Sequence, residues 1–173
     1  VEARCEAAVA FCGLPHRCEL VAEHAGVRYI HDSKATNAGA TIAALEGLRA
    51  EIGGNITLIA GGQGKGADFS VLRETVAATA SRVLLIGEAG PALADVFDSV
   101  VAVEQCVDLE SAVAIALADS KSGDAVLFSP ACASFDMFDS FVHRGDVFRD
   151  LVVTAIGAEP KSFGAANDDG AAR

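Results

Sequence analysis

The 173-residue sequence lacks the features that would place it in a membrane or on nucleic acid. It has no apolar run long enough to cross a bilayer, and its N-terminus has acidic residues instead of the apolar segment of a signal peptide. Basic residues are scarce: 13 Lys and Arg stand against 24 Asp and Glu, which gives a net charge of −11. Because nucleic acid and anionic membranes both require a basic surface, we expect neither as a partner.

Cysteine and histidine also lack the spacings that indicate a disulfide framework or a metal site. The cysteines form no Cys-x-x-Cys pair and are odd in number: Cys5, Cys12, Cys18, Cys106 and Cys132. We predict that they are small buried hydrophobic residues in a reducing compartment, which makes the cytoplasm the expected location. The four histidines show no metal-ligand spacing, so we predict no metal-binding residue.

The composition that remains is that of one folded domain, with 51% hydrophobic and 21% charged residues. Apolar strands alternate with helices, which predicts an α/β, doubly wound, mostly parallel sheet of about six strands. The connection His24-Ala25-Gly26 is too short for a parallel crossover, so the first two strands should form an antiparallel edge hairpin. We also predict that Asp68 caps a helix, and that the last helix opens at Ser134 and reaches about Ile156.

Polar side chains follow three of the predicted strands. This position matters because ligands of doubly wound sheets bind beyond the carboxyl ends of the strands. The first runs from Asp32 to Asn37 and leads into a helix, with Ser33, Thr36 and Asn37 as capping candidates. A helix start attracts anions, and Lys34 adds a cation beside the carboxylate of Asp32. The alternative is a simple N-cap with an exposed lysine.

The second strand end is the glycine-rich loop from Gly61 to Asp68, which contains Lys65. It is not a nucleotide-binding P-loop: Ile59 stands where the pattern needs glycine, and Gly66 stands where it needs Ser or Thr. We predict that Lys65 binds an anion; the alternative is a tight turn whose lysine is merely solvated.

The third strand end runs from Ser129 to Ser134 and lacks the Gly-x-Ser-x-Gly elbow, which argues against a hydrolase. Nothing in the sequence places a base beside Cys132, so we predict that this residue packs instead of acting as a nucleophile. Lys34, Lys65 and Ser134 should lie at one edge of the sheet with several helix N-termini. Together they indicate a small anionic substrate such as a dicarboxylate.

These segments resemble the Mur ligases, over residues 13 to 145 and in the order of that family. The shared motifs are Gly13-Leu14-Pro15-His16-Arg17, Asp32-Ser33-Lys34-Ala35-Thr36-Asn37, the loop from Gly61 to Phe69, and Ser129-Pro130-Ala131-Cys132-Ala133-Ser134 followed by Phe141 and Arg144-Gly145. The Asp-Asn-Pro-Arg motif of the diamino-acid-adding members is missing. This absence favours a member that adds D-glutamate to UDP-N-acetylmuramoyl-L-alanine.

The resemblance implies a cytoplasmic, three-domain ligase of peptidoglycan synthesis that uses ATP and Mg²⁺ to form an acyl phosphate, which the amine of D-glutamate attacks. Residues 13–156 would be its C-terminal domain, residues 1–12 the end of a helix from the central domain, and residues 157–173 a disordered tail. ATP and Mg²⁺ would be held mainly by the central domain, since the family's P-loop and magnesium ligands have no counterpart here.

The resemblance also implies residue roles. Lys34 and Lys65 would be catalytic, and the amino acid would contact five residues: Lys34, Thr36, Lys65, Ser134 and Phe141. Arg17 and Asp32 would bind the nucleotide, with Asp32 at the ribose, and Arg144 would be a structural or phosphate-side partner. Two alternatives stay open: another ADP-forming ligase, such as a folate polyglutamate ligase, and a free-standing domain that binds a small acidic metabolite.

Overall fold

The computed structural model describes residues 16–157. The helix predicted for residues 1–12, the first three residues of the motif that begins at Gly13, and the predicted tail beyond Gly157 lie outside the described residues. No helix in the described part of the chain is both long enough and apolar enough to cross a membrane.

A six-stranded sheet forms the centre of the domain, in the order β1-β2-β6-β3-β4-β5. The strands are β1 (Glu19–His24), β2 (Val27–His31), β3 (Ile56–Gly61), β4 (Arg82–Ile86), β5 (Ala102–Gln105) and β6 (Ala125–Phe128). All neighbouring pairs are parallel except β1 with β2. The turn between these two places Ala25 and Gly26 at φ 51° and 77°, as a tight hairpin requires. The predicted sheet and its antiparallel edge are confirmed.

The described residues form five α-helices, which cover both faces of the sheet: α1 (Ala38–Glu51), α2 (Arg73–Thr79), α3 (Gly90–Phe97), α4 (Leu109–Asp119) and α5 (Phe141–Ile156). Successive residues of a strand point to opposite faces, so Leu58 joins the core cluster under α1, α2 and α3, and Ile59 joins the cluster under α4 and α5. Both residues are fully buried. The central strands β3, β4 and β6 are mostly apolar and almost wholly buried because helices cover both of their faces, whereas the edge strands β1 and β5 are partly exposed.

Two predicted helix starts are wrong. Helix α5 begins at Phe141, where the Ser140 side chain accepts a hydrogen bond from the His143 amide (3.0 Å), and Ser134 lies in the preceding loop. The loop is held in place by Asp136, whose carboxylate accepts from the Glu88 amide (2.9 Å) beyond β4. Asp68 accepts from the Ser70 amide (2.9 Å) at a short 3₁₀ turn, and α2 begins only at Arg73.

The prediction for the cysteines is confirmed for only one of the three in the described residues. Cys132 is buried, Cys106 is half-buried and Cys18 is exposed; all three are free thiols. Burial raises the pKa of Cys132 to about 12, so its thiol stays protonated near neutral pH. A neutral, enclosed thiol agrees with a packing role.

Arg144, on the first turn of α5, connects two loops at the carboxyl edge of the sheet, which is the edge formed by the carboxyl ends of the parallel strands. Its fully buried guanidinium donates to the carbonyl oxygens of Ser33 (2.9 Å), Cys132 (3.0 Å) and Ala133 (3.1 Å), and to Ser33 Oγ (3.2 Å). Desolvation lowers its pKa to about 10, which leaves the group charged near neutral pH. Carbonyl oxygens are thus the main hydrogen-bond acceptors of this cation, and its contacts are those of a structural residue.

We expect the substitution Arg144→Met to lower the free energy of unfolding of the 173-residue chain by about 3 kcal/mol or more. The reason is that the carbonyl oxygens of Ser33 and Cys132 would lose their donor, at about 1 to 3 kcal/mol for each unsatisfied group, whereas Ala133 O would keep the Gln63 amide. Urea titration followed by circular dichroism measures the change. Lys121→Met, which removes an exposed cation, is the control and should stay within about 0.5 kcal/mol of the parent chain. An equally small effect of Arg144→Met would contradict the structural role.

Candidate functional site

The three loops that the sequence singled out are neighbours in space. They follow β2, β6 and β3, which lie side by side in the sheet, so their carboxyl ends share one edge. Backbone hydrogen bonds join the second and third loops: the Gly61 amide donates to Pro130 O (2.9 Å), and the Gln63 and Ala133 amides donate to each other's carbonyl oxygens (2.9 and 3.1 Å). The first loop is joined to the end of β6, because the Asp32 amide donates to Phe128 O (2.7 Å). The edge is therefore a single connected surface.

Gly62 allows this close approach of the second and third loops. Its φ is 128°, which L side chains rarely adopt. A Cβ added at this position would lie 2.4 Å from the carbonyl oxygen of Ala133 and 3.1 Å from Arg144 Nη1. Any side chain here would push the glycine-rich loop away from the loop after β6.

Lys34 and Thr36 both lie in the first loop, and both are exposed. The Lys34 ammonium stands 5.5 Å from the ring centroid of Phe141, within the range of a cation–π interaction. The Lys34 amide donates to His16 O (3.2 Å), and the Thr36 amide donates to Lys34 O (2.9 Å). Phe141 is fixed in turn, because Ser33 Oγ donates to its carbonyl oxygen (2.7 Å). Lys34 and Phe141 are thus brought together, and Thr36 lies two residues after Lys34 in the same loop.

Lys65 and Ser134 are linked through the second and third loops. The Lys65 ammonium lies 5.1 Å from the ring centroid of Phe135, the residue that follows Ser134. Lys65 is exposed, whereas Ser134 is almost completely buried, with 2% of its surface exposed. Ser134 was predicted to cap α5; instead its carbonyl oxygen accepts from the Phe138 amide (2.8 Å) in a turn.

Asp32 is the acid of the site, and it is buried at the start of the first loop. Burial raises its pKa to about 6, although a backbone hydrogen bond from Cys18, the Ser129 hydroxyl and the charge of Arg17 act in the opposite direction. Ser129 Oγ lies 3.4 Å from Asp32 Oδ2 and 3.1 Å from Thr41 Oγ1. The carboxylate is thus partly supported by hydroxyl groups, and it titrates near neutral pH.

Arg17, Asp32 and Lys34 line one cavity of about 270 Å³, whose wall on the α1 side is made of alanines. The two residues predicted to bind the nucleotide therefore share a cavity with a lysine predicted to bind the amino acid. A larger cavity of about 480 Å³ lies between α4 and α5 and contains none of the predicted site residues. Since it is lined mainly by apolar side chains, we place the site by its chemistry and not by its volume.

Sequence reasoning missed a buried polar cluster of His16, Glu19 and His31. Glu19 Oε2 lies 3.0 Å from His31 Nε2 and accepts from the His16 amide (2.8 Å). The signal was available in the hairpin register, which pairs Glu19 with His31 across β1 and β2. Burial lowers the pKa of His31, so its ring is neutral near pH 7.

Three potential ligand atoms of this cluster lie within 4.8 Å of one another, a proximity that the sequence spacing did not indicate. However, Arg149 Nη2 lies 3.5 Å from Glu19 Oε1 and already offsets the carboxylate charge. A metal cation bound to the same carboxylate would be repelled by the charge of Arg149 in a buried region. The cluster is better explained as the support of the turn that carries Arg17, between His16 (φ 61°) and Cys18 (φ 44°).

Comparison with known proteins agrees with this geometry. The family model described as "Mur ligase, glutamate ligase domain" matches residues 16–132. The chain is 51% identical over 152 residues to the UDP-N-acetylmuramoylalanine–D-glutamate ligase of Idiomarina loihiensis, covering 88% of this chain and 32% of that protein. For the same ligase of Aromatoleum aromaticum the identity is 54% over 144 residues, covering 82% and 30%. The chain spans about a third of the length of these curated relatives.

Solved structures show the same fold. Similar chains include E. coli FolC in complex with DHPP and ADP, with a TM-score of 0.65 and 20% identity over 90% of this chain and 35% of that one. They also include MurF ligase from Thermotoga maritima in complex with ADP, with a TM-score of 0.58 and 18% identity over 86% and 33%. The chain belongs to the Mur ligase family and contains its glutamate ligase domain.

Proposed function

We propose that the chain is the C-terminal, amino-acid-binding domain of a ligase that adds D-glutamate to UDP-N-acetylmuramoyl-L-alanine with ATP and Mg²⁺. The observation that carries this proposal is the identity of 51% to a D-glutamate ligase over 88% of the chain. A folate polyglutamate ligase is the second candidate, because FolC has the same fold, but its identity of 20% is much lower. The two differ in their acceptor, so an acceptor assay separates them.

The carboxyl edge suits an amino acid with two carboxylates. Lys34 and Lys65 supply cations from separate loops, and the hydroxyl groups of Thr36 and Ser134 supply donors of the kind that carboxylates accept. Phe141 borders Lys34 and supplies an apolar surface beside it. We assign the binding of D-glutamate to these five residues, and catalytic roles to the two lysines.

The catalytic role follows from the reaction. The amine of D-glutamate attacks the carbonyl carbon of an acyl phosphate; an amide bond forms, phosphate leaves and the amine loses a proton. Lysines that hold the carboxylates orient the amine toward that carbon, and a fixed orientation removes much of the entropic barrier of a bimolecular step. Their charge also offsets the negative charge that gathers when two carboxylates meet a phosphate.

The nucleotide side of the proposal rests on Arg17 and Asp32, which share the 270 Å³ cavity. An ionised carboxylate accepts hydrogen bonds from ribose hydroxyl groups, and a guanidinium complements a phosphate. The described residues hold no phosphate loop: Ile59 and Gly66 occupy the positions that would need glycine and a hydroxyl. We therefore assign most contacts to the phosphates and Mg²⁺ to a preceding domain of the full-length ligase.

We expect Lys65→Ala and Ser134→Ala, made separately in the full-length ligase, to raise the KM for D-glutamate about 10- to 150-fold. This range corresponds to the loss of a charge-assisted hydrogen bond of about 1.5 to 3 kcal/mol. The KM for ATP should change less than about 3-fold, and Lys121→Ala should change neither value. Equal increases for both substrates would remove these residues from the amino-acid site.

We expect the affinity of the full-length ligase for ADP to fall as the pH drops through about 6. The pKa of Asp32 is raised to about 6, so its carboxylate becomes protonated in this range and no longer accepts a charge-assisted hydrogen bond from the ribose. Isothermal titration with ADP between pH 5 and pH 8 measures the effect. Asp32→Asn should bind weakly at all pH values and lose the step near pH 6. An unchanged step in this variant would assign the titration to another group.

We expect the 173-residue chain alone to release no phosphate when it is mixed with ATP, Mg²⁺, D-glutamate and UDP-N-acetylmuramoyl-L-alanine. Phosphoryl transfer depends on positioning and on charge neutralisation at the phosphates, for which the described residues offer no loop. A full-length relative of the same family serves as the positive control. A turnover within about 10-fold of that control would show that the chain is a complete enzyme.

A further inference from the structure

Phe135 is a large apolar side chain that the fold leaves in water. Its ring is 63% exposed in the loop between β6 and α5, and it is the one aromatic residue among the exposed large hydrophobic residues of the described chain. An exposed ring contributes little to the hydrophobic core, so its position is not explained by stability. Its neighbour Ser134 is 2% exposed, which means that the chain turns outward at Phe135.

The Phe135 ring lies against the cation of another loop. The Lys65 ammonium is 5.1 Å from the ring centroid, within the distance at which a cation is attracted to the face of an aromatic ring. Lys34 and Phe141 form a second pair of the same kind, with a distance of 5.5 Å. At the carboxyl edge, each of these lysines is therefore paired with a phenylalanine from a different segment.

The backbone holds Lys65 and Phe135 in a fixed relation. Gln63 and Ala133 form a β-bridge with two hydrogen bonds. Lys65 comes two residues after Gln63, and Phe135 comes two residues after Ala133. The backbone at Lys65 is in the left-handed region, at φ 49°, which turns the chain sharply after the bridge. The bridge therefore fixes the distance between the backbone segments that carry the two side chains.

A lysine on an exposed loop samples many rotamers, and binding a carboxylate selects only a few of them. A neighbouring ring that attracts the ammonium reduces this freedom before the ligand arrives. We propose that Phe135 is a positioning residue for the amino-acid substrate: it holds the Lys65 ammonium where a substrate carboxylate binds. This inference rests on the proposed function, since it takes Lys65 as a ligand of the amino acid.

The test uses the full-length ligase that contains this chain and compares three substitutions at position 135. Phe135→Ala should raise the KM for D-glutamate about 5- to 20-fold and leave the KM for ATP within 2-fold. Phe135→Tyr keeps the aromatic face and should stay within 3-fold of the parent enzyme. Phe135→Leu keeps apolar bulk without the face and should resemble Phe135→Ala. Val107→Ala removes apolar surface at another exposed position, 90% exposed, and should change neither KM.

A double variant shows whether Phe135 acts through Lys65. If it does, Lys65→Ala with Phe135→Ala should have the same KM for D-glutamate, within 2-fold, as Lys65→Ala alone. If the double variant instead raises the KM for D-glutamate by the product of the two single effects, the proposal is overturned. It is also overturned if Phe135→Ala raises the KM for ATP and the KM for D-glutamate equally and lowers the Tm. If Lys65→Ala itself leaves the KM for D-glutamate unchanged, the proposed function of the site fails first. If only the Phe135 variants are silent, this inference fails alone.

Discussion

The carboxyl edge of this domain depends on a buried cation that has no acidic partner at hydrogen-bond distance among the described residues. Arg144 sits under the first and third loops, and its guanidinium is bonded to backbone carbonyl oxygens instead of a carboxylate. Removing such a group from water is costly, and the cost is offset only when all its donors find acceptors in a fixed geometry. The loops can therefore occupy few alternative positions. This constraint joins the first and third strand ends, and the bridge between Gln63 and Ala133 adds the second to the same surface.

The sheet could be predicted from the sequence because its central strands are apolar on both faces, a pattern typical of a parallel sheet covered by helices. The start of α5 could not, because Ser134 and Ser140 are equally good caps when only local sequence is considered. The choice between them depends on the bond from Asp136 to the loop beyond β4, which joins residues 48 positions apart. The cluster of His16, Glu19 and His31 was missed for a related reason: it requires the register of the hairpin.

The roles of individual site residues came from motifs, and the fold explains part of why those motifs are shared. Gly62 is required by the contact with the loop after β6, and Asn37 caps α1 by accepting from the Ala40 amide (3.0 Å). Lys34, Thr36 and Lys65, by contrast, are exposed and support little of the fold. Since stability does not explain why these three residues are present, ligand binding is the simpler explanation for them.

The order of the strands in the sheet differs from their order in the chain. Strand β6 lies between β2 and β3, yet it comes last in the chain among the strands of residues 16–157. The hairpin of β1 and β2 has no parallel partner until β6 enters, and the unit of β3, β4 and β5 has an open edge until the same moment. Contacts between residues so distant in sequence form slowly. On the ribosome, the nascent chain therefore exposes two incomplete half-sheets until residues 125–128 emerge, a state in which unpaired edges invite association with other chains.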